Sequence, residues 1–95
     1  MEKQEQSGIT FSSFVLSLAT TAAVHFGDIA DPQTGRRAEP NLPAAAQMIE
    51  LLALLQEKTK GNLIEAEERL IEDLLYELRM RFVQAKEGGK RIIVP

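Results

Sequence analysis

The sequence predicts an all-α protein: three helices in an antiparallel arrangement, with a long loop between helices 1 and 2, completed by self-association into a helical bundle. Apolar residues recur at intervals of three and four in three separate stretches, which is typical of amphipathic helices. Four prolines and six glycines lie almost wholly outside those stretches. Aromatic residues form only 5% of the 95 residues and tryptophan is absent, so we expect an aliphatic core.

Composition narrows the range of functions. With 44% hydrophobic and 26% charged residues, the chain has the balance of a folded domain. It contains no cysteine, which excludes disulfides and thiolate metal sites and favours a cytoplasmic location. The net charge of −3 provides no general attraction to nucleic acids or anionic membranes. We expect one domain over residues 9–87, between flexible tails at residues 1–8 and 88–95.

Helix 1 is predicted over residues 11–26, FSSFVLSLATTAAVHF. Thr10 is placed to cap its first turn, and Gly27 is placed to end it. The segment from Ser7 to Phe26 contains no charged residue, which raises the question of a membrane span. Its many serines and threonines argue against a span, and the polar start MEKQEQ argues against a signal peptide. We therefore expect helix 1 to pack inside the protein rather than in a bilayer.

A turn-rich loop is predicted between Gly27 and Asn41, because this segment holds two prolines and two glycines without periodicity. Helix 2 follows in NLPAAAQMIELLALLQEKTK, residues 41–60. Asn41 can cap this helix, and Pro43 lies in its first turn, where the missing N–H does no harm. Apolar residues cover nearly all of its circumference, so helix 2 is expected to be surrounded by protein.

Helix 3 is predicted from Leu63 to Lys86, with Gly88 and Gly89 ending it. At about 36 Å, a helix of this length exceeds helix 2 by roughly two turns. Its charged residues lie three and four apart and are expected to form surface ion pairs, such as Glu77 with Arg81.

The cluster EKTKGN, at the junction of helices 2 and 3, predicts a structural corner. Gly61 stands where a glycine in the left-handed conformation ends a helix. Asn62 can then cap helix 3, and Glu65, three residues on, completes a capping-box pattern. A phosphate-binding loop would need G-x-x-x-x-G-K-[ST], which the chain does not contain.

Helices 2 and 3 carry more apolar side chains than two flanking helices can enclose, which favours self-association, with a dimer as the commonest form. The residues predicted to form this interface are Met48, Leu51, Leu52 and Leu55 on helix 2 and Leu74, Leu78 and Phe82 on helix 3. The alternative is a compact monomeric three-helix bundle.

Residues suited to catalysis or metal binding are sparse. His25, Asp28 and Asp31 form the one cluster of metal-ligand types, but Gly27 between them is more simply explained by a helix end. Acid–base chemistry by paired carboxylates of helix 3 would need burial and an opposing pocket, and no sequence feature supplies them. We therefore predict no catalytic residue, no cofactor and no metal, and no enzymatic activity.

The favoured function is protein–protein association, as a homo-oligomer or as an accessory subunit or adaptor. The alternative is an RNA- or ribosome-associated accessory protein, although nucleic-acid binding normally shows a larger basic face or interleaved aromatics. Enzymatic activity has the weakest support of the three. The residues that would serve RNA binding are Arg36, Arg37, Arg79, Arg81, Lys90 and Arg91.

The segments FSSFVLSLATTAAVHFGDI, NLPAAAQMIELL and EKTKGNLIEAEERLIEDLLYELRMRFV together resemble a bacterial family, the domain-of-unknown-function family 1844. The resemblance spans roughly residues 9–84 and is most specific from Glu57 to Asn62 and from Leu74 to Arg81. It implies a small, cytoplasmic, α-helical bacterial protein. The resemblance brings no catalytic residues with it, so it leaves the function open.

Overall fold

The fold is taken from a computed structural model that describes residues 8–91, with side chains up to Gly88. The chain forms three α-helices: α1 (Phe11–Phe26), α2 (Leu42–Lys58) and α3 (Glu65–Arg91). The described residues contain no β-strand. The predicted all-α class is therefore confirmed. Most of the predicted N-terminal tail and residues 92–95 of the predicted C-terminal tail lie outside the described residues.

Helix α1 begins and ends where its capping residues predict. The Thr10 hydroxyl accepts a hydrogen bond from the Ser13 N–H at 3.0 Å, and the Ser13 hydroxyl accepts one from the Thr10 N–H at 2.9 Å. These two bonds form a capping box, which satisfies two N–H groups that a helix start leaves unpaired. At the other end Gly27 has a φ of 82° and donates its N–H to the carbonyl of Val24 at 2.9 Å.

Helix α2 also begins as predicted. The side-chain oxygen of Asn41 accepts a hydrogen bond from the Ala44 N–H at 3.1 Å. The backbone N–H of Asn41 donates to the carbonyl of His25 at 2.7 Å. This second bond closes the loop between the two helices and holds the start of α2 beside the end of α1.

The corner between α2 and α3 differs in detail from its prediction. Gly61 has a positive φ of 88°, as predicted, but α2 ends earlier, with Thr59 as its cap. The Asn62 N–H donates to the carbonyl of Thr59 at 2.8 Å, which places Gly61 at the third position of a turn. A type II turn needs a positive φ at that position.

The predicted capping box of Asn62 and Glu65 is wrong, because α3 begins two residues later than the pattern indicated. Ile64 precedes the first helical residue, and its backbone N–H donates to the side chain of Glu67 at 3.1 Å. The acidic half of a capping box is therefore present, but at Glu67 instead of Glu65. Asn62 is already engaged in the preceding turn.

Helix α3 extends further than predicted, since it continues through Gly88 and Gly89 to Arg91. Gly88 does not adopt the positive φ that would end a helix. The predicted pairing of Glu77 with Arg81 is also wrong, because Arg81 binds Asp28, at the end of α1.

Each helix packs against the other two. Helix α3 returns along α2, because Ala46 shares a groove with Val83 whereas Gln56 shares one with Ile71. Successive helices are therefore antiparallel. All three contribute to one aliphatic core that contains a single aromatic ring, formed by Val15, Ala22, Phe26, Ala45, Ile49, Leu52, Ile71 and Leu75.

Within residues 8–91, none of the helices combines the length and the apolar composition that crossing a bilayer requires.

Candidate interaction surface

Five large apolar side chains are exposed on the outer sides of α2 and α3, and we call this surface the α2–α3 face: Leu51, Leu54, Tyr76, Met80 and Val83. The exposed fractions of these residues run from 42% for Leu51 to 66% for Tyr76. Tyr76, Met80 and Val83 follow one another at intervals of four and three, so they share one side of α3. Leu51 and Leu54 share one side of α2 for the same reason.

A shallow groove joins the two helices within this face. It has a volume of about 260 Å³ and is lined by Ala46, Ile49 and Glu50 from α2 and by Arg79, Phe82 and Val83 from α3. Glu50 and Arg79 bring opposite charges to an otherwise apolar seam. The groove therefore combines a mainly apolar lining with one pair of opposite charges.

Helix α1 has an exposed side of a different kind. Phe14 and Leu16 are each 47% exposed, and α1 contains no charged residue from Phe11 to Val24. Loop residues Asp31–Gln33 share a groove with Val24, which is 8% exposed. The loop thus lies beside the second half of α1, where Thr20 and Thr21 remain exposed, and only one side of the first half is buried. The expectation that helix 1 packs inside the protein therefore holds only for its buried side, which carries Val15 and Ala22.

The residues predicted to form the interface divide into three groups. Leu52 is fully buried, because both α1 and α3 pack against α2, so its assignment to an exposed face is wrong. Leu51 is exposed and belongs to the α2–α3 face. The remaining five are half-buried and pack against the core: Met48, Leu55, Leu74, Leu78 and Phe82.

The prediction that helix α2 is surrounded by protein is also wrong. Its apolar circumference is divided between a buried side, with Leu52 and Ile49, and an open side, with Leu51 and Leu54. The sequence also contains the second apolar row, Tyr76, Met80 and Val83, at helical spacing. The prediction did not treat it as a separate exposed row, because the wider stripe of Leu74, Leu78 and Phe82 lies beside it.

A polar cluster connects the end of α1 to α3. Arg81 donates two hydrogen bonds to the carboxylate of Asp28, at 2.8 and 2.6 Å, and its guanidinium lies 5.1 Å from the ring centre of Phe26. The bond from Arg81 holds the pKa of Asp28 below its usual value of 3.8, and the charge of nearby Arg37 acts in the same direction. Asp28 in turn raises the pKa of Arg81.

The residues considered for a metal site do not converge. Asp28 faces Arg81, whereas the side chain of Asp31 accepts a hydrogen bond from the Gln33 N–H at 2.8 Å. His25 and Asp31 line an open groove of about 420 Å³ between α1 and the loop. No group of three potential metal-ligating side chains is found in the described part of the chain.

The basic residues considered for RNA binding are divided between different places. Arg37 and Arg81 lie near Asp28, while Arg79 lines the groove between α2 and α3. Arg36 is exposed in the loop. The side chains of Lys90 and Arg91 lie outside the described part of the structure. Arg79 and Arg81 therefore do not contribute to one continuous basic face.

Comparison with known proteins identifies a family but no individual relative. The sequence model of one family, described as "Domain of unknown function (DUF1844)", matches residues 8–84. No curated protein and no solved structure shows significant similarity to the chain.

Proposed function

The chain belongs to the domain-of-unknown-function family DUF1844, and we propose that it acts through protein–protein association, as a homodimer formed through the α2–α3 face. This dimer is either the functional form itself or the core of an accessory subunit. The bacterial, cytoplasmic setting that the family resemblance implies is part of the same proposal. The proposal assigns no enzymatic activity to the protein.

The observation that carries the proposal is the exposure of five large apolar side chains on the α2–α3 face. Full burial of such a side chain is worth about 1.5–3 kcal/mol, and Leu54 and Tyr76 are each more than half exposed. A small domain has a total stability of only about 5–15 kcal/mol, so leaving this surface in water is a substantial loss. A large exposed apolar patch on a protein surface marks an interaction site.

The shape of the molecule supports the same proposal. Its dimensions are 57 × 31 × 17 Å, and its Cα radius of gyration is 15.4 Å. A compact domain of this length would have a radius of gyration of about 12 Å. Helix α1 packs on one side of α2 and α3, and no further layer of the described chain covers the opposite side, where Leu54 and Tyr76 are exposed. A second copy of the chain would supply that layer.

The proposal is tested by co-expressing two full-length copies with different affinity tags and purifying through one tag. We expect the second copy to be recovered, and its recovery to be unchanged by RNase treatment. Failure to recover the second copy would contradict self-association. Recovery that is lost on RNase treatment would favour the RNA-associated alternative.

A further inference from the structure

The apolar centre of α3 is flanked on its outer side by two pairs of charged residues. Arg69 and Glu72 precede the Tyr76–Val83 stretch by seven and four residues, and Lys86 and Glu87 follow it by three and four. At these intervals they lie on or beside the same side of the helix as Tyr76. All four are exposed. These four charges run positive, negative, then the stretch of Tyr76, Met80 and Val83, then positive, negative. Asp73 and Arg79, each three residues from Tyr76, add one charge of each sign beside that stretch.

We infer that the second copy pairs its α3 antiparallel to the first, with the two-fold axis passing near Leu78. This inference rests on the proposed dimer and specifies its geometry. In this orientation Arg69 lies opposite Glu87 of the second copy, and Glu72 lies opposite Lys86 of the second copy. Because a two-fold axis repeats each contact, the dimer contains four oppositely charged pairs around one apolar centre.

The opposite orientation is disfavoured by the same residues. In a parallel, in-register pair each charged residue meets its own copy, so Glu72 would face Glu72 and Lys86 would face Lys86. The charges are also distributed unequally between the two halves of α3. From Glu65 to Glu77 it carries six carboxylates and one arginine, and from Leu78 to Gly88 it carries three basic residues and one glutamate. Antiparallel pairing therefore places the acidic half of each helix against the basic half of the other.

Two local contacts are compatible with this geometry. The ammonium group of Lys86 lies 5.5 Å from the ring centre of Phe82, which places the charge beside the groove between α2 and α3. Arg79 would approach its own copy near the axis, but it shares that groove with Glu50, whose negative charge offsets the repulsion.

Reversing the charges of Lys86 and Glu72 in the full-length chain tests whether these residues pair across the dimer. We expect Lys86→Glu and Glu72→Lys each to raise the dimer dissociation constant about tenfold, because each converts two attractive contacts into repulsive ones. The double variant should return to within about threefold of the unmodified chain, since it restores opposite charges at both positions. Glu39→Lys and Arg36→Glu, which make charge changes of the same kind at exposed positions in the loop between α1 and α2, are the matched controls.

A distance measurement tests the orientation independently. Because the chain contains no cysteine, Glu65→Cys provides a single site for a spin label. Antiparallel pairing about Leu78 places the two labels about 40 Å apart, whereas parallel pairing places them about 10 Å apart. A dimer with the shorter distance, or with no response to charge exchange, would overturn this inference and leave the proposed dimer intact. A chain that stays monomeric would instead overturn the proposed function.

Discussion

Arg81 and Asp28 lie 53 residues apart in the sequence and form a two-point ion pair, with Nε 2.8 Å from Oδ2 and Nη2 2.6 Å from Oδ1. The guanidinium also lies 5.1 Å from the ring centre of Phe26, the last residue of α1. This pair fastens the start of the long loop to the middle of α3. Its contribution to stability can be measured separately from that of the core.

Arg81→Gln should lower the free energy of unfolding by about 1 kcal/mol, because it removes a two-point ion pair and a contact with Phe26. The loss is limited because the side chains of Arg81 and Asp28 are 35% and 38% exposed. Arg36→Gln, the same change on an exposed residue of the loop, is the control. Urea unfolding at a fixed protein concentration gives both values. Equal losses in the two variants would show that the ion pair contributes nothing measurable.

The contribution of Asp28 should depend on pH in a defined direction. Its pKa is lowered in the folded protein from the usual value of 3.8, first by the hydrogen bond from Arg81 and further by the charges of Arg81 and Arg37, against a smaller opposing effect of burial. The pair therefore stabilises the fold fully above the unfolded pKa, and this contribution is lost as the pH falls through the folded pKa.

We accordingly expect the stability difference between the unmodified chain and Asp28→Asn to be constant from about pH 5 to 8 and to shrink below about pH 4. Chemical unfolding across this range measures the difference. A difference that stays the same down to about pH 2 would contradict the assigned cause of the lowered pKa.

The effect of a glycine-to-alanine substitution on stability should depend on the backbone conformation of that glycine. Gly61→Ala should lower stability by about 1 kcal/mol, because its φ is +88° although its surroundings are open. Gly27→Ala should cost more, since its φ is +82° and an added Cβ would lie 3.3 Å from the carbonyl oxygen of Ala38. Gly88→Ala should be neutral or stabilising, because Gly88 is helical and has open space around it. Thermal unfolding ranks the three; a neutral Gly61→Ala would contradict the strain assigned to the turn.

The helix ends that could be predicted are those decided by local hydrogen bonds. Thr10, Gly27 and Asn41 each act within a few residues, so the sequence alone identified them. The cap of α3 could not be assigned, because Asn62 is used by the turn that begins at Thr59. The end of α3 was misplaced because Gly88 costs a helix only about 1 kcal/mol unless it adopts a positive φ.

The candidate surface was harder to predict than the helices. An α-helix that is apolar on nearly all sides does not indicate which side is buried, so Leu52 and Leu54 cannot be distinguished by pattern. Only the packing of α1 and α3 against α2 makes Leu52 fully buried and leaves Leu54 53% exposed. The Asp28–Arg81 pair was also beyond prediction, because it depends on how the loop meets a distant helix.

Leu52 and Leu54 should therefore respond differently to the same change. Leu52→Ala should lower the free energy of unfolding by about 2–5 kcal/mol, since it leaves a cavity in the core. Leu54→Ala should have little effect on the stability of the monomer and should weaken self-association. Unfolding at low concentration and sedimentation at high concentration separate the two effects. Similar unfolding losses in both variants would show that Leu54 is not a surface residue.

Val83→Glu should abolish self-association while the helical content is retained, because a charge in an apolar interface loses its hydration without gaining a partner. Leu16→Glu, on α1, is the matched control, since Leu16 and Val83 are 47% and 46% exposed. Circular dichroism checks the helical content, and light scattering gives the mass. Dissociation by Leu16→Glu with no effect of Val83→Glu would move the interface to α1.

The most direct test of the dimer is the mass of the unmodified chain in solution. Light scattering across a concentration series should give twice the monomer mass of 10.6 kDa at tens of micromolar, falling toward the monomer mass on dilution. A mass of 10.6 kDa throughout the series would contradict the proposed self-association.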